Sequence, residues 1–362
     1  VKSLMLLWNA IADDLAMLCC TSAHRDKKTV SERTKHEGLS FLTITLPSFA
    51  KDFELSLERG MVDDTVFLSF KRNRSLPAFL QGFSRHVFDA NSGVLLDDFD
   101  PGIVQAIRQL TLMFGKIGLE CSPARERKAF AEFVKCEQEV KESLGQRNYY
   151  SFRRIKTLLM GQAFTEVDED IYYGRLKPKH GPGATADSLI GNQKYHQSTW
   201  PVRLEPYFPF GEMVLPNWSY FDQMDEVDFL EPEAEIPVKV VSVPKTMKTP
   251  RIIAIEPTAM QCAQQAVLGS IRKAIRGSIL DSFIGLDDQT PNQRLAHLGS
   301  KGFGLATLDL SEASDRVSSE IVSQLLGDHR HLHDAVFACR STRARLPDGD
   351  VISLVKFASM GS

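Results

Sequence analysis

The sequence has no CxxC pair. Its six cysteines, Cys19, Cys20, Cys121, Cys136, Cys262 and Cys339, lack metal-ligand spacing, which argues against a zinc module and fits a reducing compartment. It also has no long hydrophobic run. The opening "VKSLMLLWNAIADDLAMLCC" resembles the apolar core of a signal peptide, but Asp13 and Asp14 interrupt it and the run is too short to span a bilayer. It reads as an amphipathic core helix. A large charge of either sign is missing as well. The formal net charge is −3, so no global basic field draws nucleic acid, and a site of that kind must be built locally. There is no internal repeat and no low-complexity block.

What is present is the composition of a soluble globular protein: 43% hydrophobic and 25% charged residues, over a length of 362 that suggests two domains. "HRDKKTVSERTKHE" (24–37) is polar throughout and reads as an exposed loop. "DPGIVQAIRQLTLMFGK" opens with Asp100 as N-cap and Pro101 at the first helical position, and Ile103, Ile107, Leu110 and Phe114 recur at helical spacing. "SPARERKAFAEFVKCEQEVKESLG" has the same grammar, with Ser122 as cap, Phe133, Cys136, Val140 and Leu144 on one face, and Gly145 as the stop. The first 150 residues are therefore mostly helical.

From Ile236 the texture changes. "IPVKVVSVP" and "RIIAIEP" read as strands, Thr258 to Gly277 as a helix, and "RARLPDGDVISLVKF" as a hairpin turning at Pro347-Asp348-Gly349. "FGLATLDL" predicts a strand with Leu305, Thr307 and Asp309 on one face, followed by a helix carrying Val317, Ile321 and Leu325.

Several stretches could carry chemistry. Asp309 at the end of a strand can reach a hard divalent cation, and the turn after it, with Ser311 and Ser314, is small enough for phosphate oxygens to approach. An ordinary strand-to-helix junction explains the same residues, with Asp315 favoured by the helix dipole. Lys245, Lys248 and Arg251 lie on a proline-bounded loop that suits a polyphosphate, or that is simply a solvated hairpin tip. In "FASMGS", Ser359 and Gly361 flank Met360, and glycine lets a backbone approach a ligand; taken alone the stretch reads first as a plain strand-ending turn. "KHGPGATAD" is a tight turn without P-loop spacing. "QRNYYSFRRIK" (146–156) interleaves cations with rings, as a single-strand track does or as a helix with buried rings and a basic outer face. "DHRHLHD" (328–334) has no helical ligand spacing and reads as a solvated loop.

The order of these stretches carries more than any one of them. "VPKTMKTPRIIAIEP", "GLDDQTPNQRLAH", "LATLDLSEASDRVSS" and "RLPDGDVISLVKFASMG" together resemble the replicase subunit of the small positive-strand RNA bacteriophages, a levivirus-like family, over roughly residues 236–362; "HGPGA" at 180–184 agrees. The resemblance implies an α+β, right-hand RNA-directed RNA polymerase. Residues 1–160 would be the helical N-terminal region and part of the fingers. Residues 161–300 would be fingers with the basic loop 239–257, and 301–362 the start of the palm. By the same resemblance Asp309 binds two Mg²⁺ ions, and Lys245, Lys248 and Arg251 meet the triphosphate. Asp315 lies near the ribose, and Ser359 and Gly361 shape the base-pair pocket. Ser362 stands where many relatives carry Asn. No Gly-Asp-Asp hairpin follows, so the third palm motif and thumb are expected to be missing and the chain to be a C-terminally truncated fragment. The implied partners are single-stranded RNA template and nascent RNA, ribonucleoside triphosphates and host translation factors, with no membrane, in the cytoplasm of a bacterial host. The alternative is a catalytically dead RNA-binding fragment. A phosphatase or other phosphotransferase is a weaker one.

Overall fold

Helix grammar at the start of the chain is met by tertiary partners. The structure, a computed structural model, describes residues 2–360 except Pro216, Phe303 and Ser311, and of Gln223 the backbone only. It is a mixed helix and sheet fold, 51% helical. Its contacts divide the chain into two units, Val1–Ala129 with Ser242–Arg251, and Phe130–Val241 with Ile252–Ser362.

In the first unit, α1 (Lys2–Leu18), α2 (His24–Glu37), α3 (Leu46–Arg59), the short α4 (Gln81–Ser84) and α5 (Pro101–Leu112) surround an aromatic core. A two-residue ladder, β1 (Arg72–Asn73) against β2 (Leu76–Pro77), lies among the loops. Phe49 is fully buried, with ring centroids 4.6, 5.0 and 5.4 Å from those of Phe67, Phe70 and Phe79. Trp8 is equally buried and donates its indole N–H to the Leu110 carbonyl at 2.7 Å, so its polar tip is satisfied inside the core. Asp100 caps α5 through the Gly102 N–H with Pro101 next, as the sequence predicts.

Residues 24–37 correct the sequence reading: they are helix α2, not an exposed loop. Asp26, Val30 and Thr34, four apart, are buried on one face. Only Val30 among them is apolar, so hydrophobic periodicity could not reveal the stripe. Asp26 is acceptable there because its Oδ1 accepts from the Leu80 N–H at 2.6 Å.

Helix α6 (Pro123–Glu142) begins in the first unit and continues in the second, followed by α7 (Tyr150–Tyr172). Phe133, Cys136 and Val140 are buried on one face of α6, and Gly145 stops the chain after it with φ +69°. Strand β3 (Thr199–Pro201) pairs in parallel with β4 (Asp228–Leu230), and the short α8 (Phe210–Met213) lies between them in sequence. The main sheet has order β6-β5-β7-β8, built from β5 (Val238–Val243), β6 (Arg251–Ile255), β7 (Arg343–Arg345) and β8 (Val351–Ser353). β5 runs parallel to β7, and β7 antiparallel to β8. Val238, Val240, Ala254 and Ala344 from this sheet are buried with Phe133 of α6. The β7–β8 hairpin turns where expected, with Gly349 at φ +98°. A larger helical core joins α7 to α9 (Thr258–Ile275), α12 (Ser319–Leu326) and α13 (Arg330–Ala338). The histidine stretch expected as a loop is largely the first part of α13, where Leu332 is buried. Its histidines meet different partners: His329 the Phe164 ring, His331 the Tyr172 ring, and His333 the Asp334 carboxylate at 2.9 Å.

Two short helices, α10 (Asp281–Ile284) and α11 (Thr290–Ser300), bury no residue. The strand expected at 303–310 does not form: the described residues Gly304–Leu310 are irregular and exposed. Among the described residues no strand pairs with them, and a lone strand leaves its backbone groups to water. The segment instead runs close to α11, where a Cβ on Gly299 would stand 2.9 Å from the Leu305 carbonyl oxygen. Among the described residues, no helix is long and apolar enough to cross a membrane.

Candidate functional site

The basic loop between β5 and β6 is held from its own unit. The Cys121 thiol donates to the Thr246 carbonyl at 3.0 Å, and Arg125 to the Met247 carbonyl at 2.9 Å. The Ser242 hydroxyl donates to Glu126, and Thr246 Oγ1 accepts from the Thr249 N–H at 3.3 Å. Pro250 is buried. Most of these bonds use backbone groups, and they leave the cations outside: Lys245, Lys248 and Arg251 are exposed, and none of their side chains makes an ion pair or hydrogen bond among the described residues. A loop fixed by its backbone that presents three unneutralised cations is suited to an anion with several oxygens.

In the second unit, Asp309 is exposed in the irregular segment, and its carboxylate has no partner among the described residues. Asp315 has one. Lys356, fully buried, donates to Asp315 Oδ1 at 3.1 Å and lies 3.4 Å from the centre of the Phe133 ring. A buried ammonium needs this charge and the ring face. Glu137 accepts from the backbone N–H groups of Val355 and Lys356. Arg340 donates to the carbonyls of Leu354, Lys356 and Phe357. The Phe357 N–H donates to the Val317 carbonyl at 2.7 Å, and the Ser319 N–H to the Val355 carbonyl at 2.9 Å. The turn after Asp309 is thus fastened to the segment before Ser359. Glu312 in that turn has φ +53°, and its carboxylate meets Arg316 at 2.8 Å. Arg316 also reaches Glu139 at 2.9 Å and holds that carboxyl below its ordinary range.

Ser359 is buried, and the Met360 carbonyl next to it accepts from the Ala254 N–H of β6 at 2.9 Å. Gly361, Ser311 and Ser362 lie outside the described residues. The structure therefore links Asp315 to the irregular segment before Ser359 through Lys356 and leaves Asp309 unattached. Lys356, Glu137, Cys121 and Arg125 escaped the sequence reading. A lysine inside the apolar run "VISLVKF" was the signal available for the first; the others act through backbone bonds more than 100 residues away in sequence.

The "HGPGA" turn is held by a buried lysine: Lys194 donates to the Gly181 and Gly183 carbonyls, both at 2.6 Å. Burial and the nearby Lys194 hold the His180 imidazole below its ordinary pKa.

The Mg²⁺ implied by the resemblance can be tested against these residues. Among the described residues no three His, Cys, Asp or Glu side chains gather as a metal site. Asp309 is a free, exposed carboxylate, which suits one hard-ion ligand alongside phosphate oxygens and water. A pair of ions is not accommodated by the described acids.

Residues 232–362 match the family model "RNA replicase, beta-chain". The chain is 43% identical over 124 residues to the RNA-directed RNA polymerase subunit beta of Escherichia virus Qbeta, covering 34% of this chain and 20% of that protein. It is 41% identical over 138 residues to the subunit of the same name from Enterobacteria phage SP, covering 38% and 23%. It is 36% identical over 123 residues to the RNA-directed RNA polymerase beta chain of Escherichia phage MS2, covering 34% and 21%. The match spans about a fifth of the length of these relatives.

Proposed function

We propose that this chain serves RNA-templated RNA synthesis, joining ribonucleoside triphosphates to a growing strand in bacteriophage genome replication. The carrying observation is that one stretch, 232–362, matches a replicase model and also contains both the unneutralised basic loop and the free Asp309. In this reading the right-hand division holds, with fingers over 161–300 and palm from 301. Lys245, Lys248 and Arg251 bind the triphosphate and neutralise charge as pyrophosphate leaves. Asp309 supplies a carboxylate ligand to Mg²⁺, which when bound would polarise the reacting phosphate. Among the described residues no three His, Cys, Asp or Glu side chains gather, so a pair of ions needs acids from outside them. Asp315, oriented by Lys356, faces the ribose, and Ser359 with Gly361 borders the base pair. RNA template, nascent RNA, ribonucleotides and host translation factors are the partners, in the host cytoplasm.

Templated incorporation of labelled ribonucleotides with Mg²⁺ tests this. Asp309→Ala should lower incorporation by at least ~10²-fold, the scale of losing a transition-state electrostatic contact, with RNA binding unchanged. Lys245→Ala with Lys248→Ala should weaken nucleoside triphosphate binding by roughly tenfold or more. Full turnover in Asp309→Ala would overturn the assignment. A second reading, RNA binding without catalysis, is favoured by the single unattached acid; RNA binding by the wild-type chain with no product would select it.

A further inference from the structure

Helix α7 opens with its polarity inverted. Lys156 is buried, while Tyr150 is 77% exposed and Leu158 74% exposed. The lysine turns inward to the Gln324 carbonyl at 2.6 Å and to Asp328 at 3.1 Å. That pair neutralises Asp328, whose carboxyl Lys156 holds below its ordinary range. Glu320, whose charge reaches Tyr149, accepts the Gly145 N–H at 3.1 Å. The arginines stay outside. Arg153 is held only through Nε, by the Gln324 side chain at 2.7 Å, and Arg154 is exposed with no partner among the described residues. With Arg147, Tyr149 and Tyr150 they line an open groove of about 790 Å³. The expectation of a helix with buried rings fails at Tyr150, whose ring faces solvent beside the arginines.

We propose that this groove is a track for single-stranded RNA, with Arg147, Arg153 and Arg154 on successive phosphates and Tyr150 stacking a base. The choice of RNA rests on the replicase reading above; the site is separate from the residues that reading uses. Charge complementarity favours a polyanion, because the chain as a whole is acidic, at −3, while this groove exposes three arginines. The ring favours a nucleic acid over an acidic peptide, since every base offers a face to stack. The exposed ring also separates it from a duplex site, in which bases are not free to stack on protein.

The test is fluorescence anisotropy of the chain with a labelled oligouridylate of about ten nucleotides. Tyr150→Ala should weaken binding roughly tenfold, and Tyr150→Phe should restore it. Arg147→Ala with Arg154→Ala should weaken binding and flatten the slope of log affinity against log salt by about 1.4, at ~0.7 per phosphate; Arg154→Lys should retain the slope. These side chains are exposed, and an unchanged melting temperature in each variant confirms the fold. Wild-type affinity and slope in the double variant would overturn the proposal. So would displacement of RNA by polyglutamate at equal charge, which would make the groove a protein-docking surface. Lys245→Ala with Lys248→Ala separates the two readings. RNA affinity that follows those lysines and not the arginines defeats the groove and leaves the replicase reading standing. RNA affinity that follows the arginines in a chain with no nucleotide binding leaves the groove standing alone.

Discussion

The N-terminal unit and the segment from Asp281 to Val317 use their apolar residues in opposite ways. In the first, Trp8, Phe41, Phe49 and Phe53 are buried at or near 0% exposure. In the second, Phe283, Leu308 and Leu310 stand 72%, 85% and 74% exposed, and two helices bury nothing. The family model covers all of the second and, of the first, only Ser242–Arg251. Packing density and resemblance therefore report different things. A dense core needs only apolar volume of the right shape, which many sequences supply. Ligand-binding segments are in general drawn from the weakly packed end of a molecule, which is where the exposed stretch with Asp309 stands.

The comparison breaks first at the core. Phe49→Ala should cost about 4 kcal/mol in urea unfolding of the first unit, from lost burial plus the cavity left among three rings. A cost under about 1 kcal/mol would mean that the aromatic cluster is not the unit's core. Next comes the buried ion pair that borders the exposed segment. Lys356→Ala should cost about 3 kcal/mol, because Asp315 then loses its partner in a half-buried setting, and Lys356→Met should cost less by refilling the space over Phe133. Equal losses in the two variants would show that the missing charge alone, and not the space over Phe133, sets the cost.

A smaller effect depends on pH. Burial pushes the Asp26 carboxyl from 3.8 up to about 6, against the opposing Leu80 N–H bond. The folded value lies above the unfolded one, so the native state holds the proton more tightly. This contribution is complete below about pH 4 and is lost as pH rises through about 6. Asp26→Asn keeps an acceptor for Leu80, so it should remove that slope and raise stability at neutral pH by ~1 kcal/mol. A pH profile identical to wild type would refute the buried-acid account. Smallest of all, Leu308→Ser should change stability by no more than about 0.5 kcal/mol, and amide exchange across Leu305–Leu310 should be among the fastest in the chain. Strong protection there would mean that the strand expected from sequence does form in solution.

Much of the architecture was legible where its causes are local. Asp100 and Pro101 start a helix because a cap and a fixed φ act within one turn. Pro347-Asp348-Gly349 turns a hairpin for the same kind of reason. The cations of 245–251 and the acid at 309 were legible as residue types, and the structure leaves them exposed. Helix α2 was not legible, since its buried stripe includes Asp26 and Thr34, whose burial depends on a distant backbone donor. Nor was the inward turn of Lys156, which needs Gln324 and Asp328 to be in place.

Local chemistry along the chain was enough for the helix start at Asp100-Pro101, the β5–β6 and β7–β8 turns and the family likeness of the C-terminal third, because capping, proline geometry and motif order act over a few neighbouring residues. Contacts made in the folded chain were needed to make 24–37 helical, to leave 304–310 out of any strand, and to bind Asp315 to Lys356 while Asp309 has no partner among the described residues. Those outcomes depend on hydrogen-bond and ion partners supplied from far along the chain, and whether a strand or a buried charge persists is set by whether such a partner arrives.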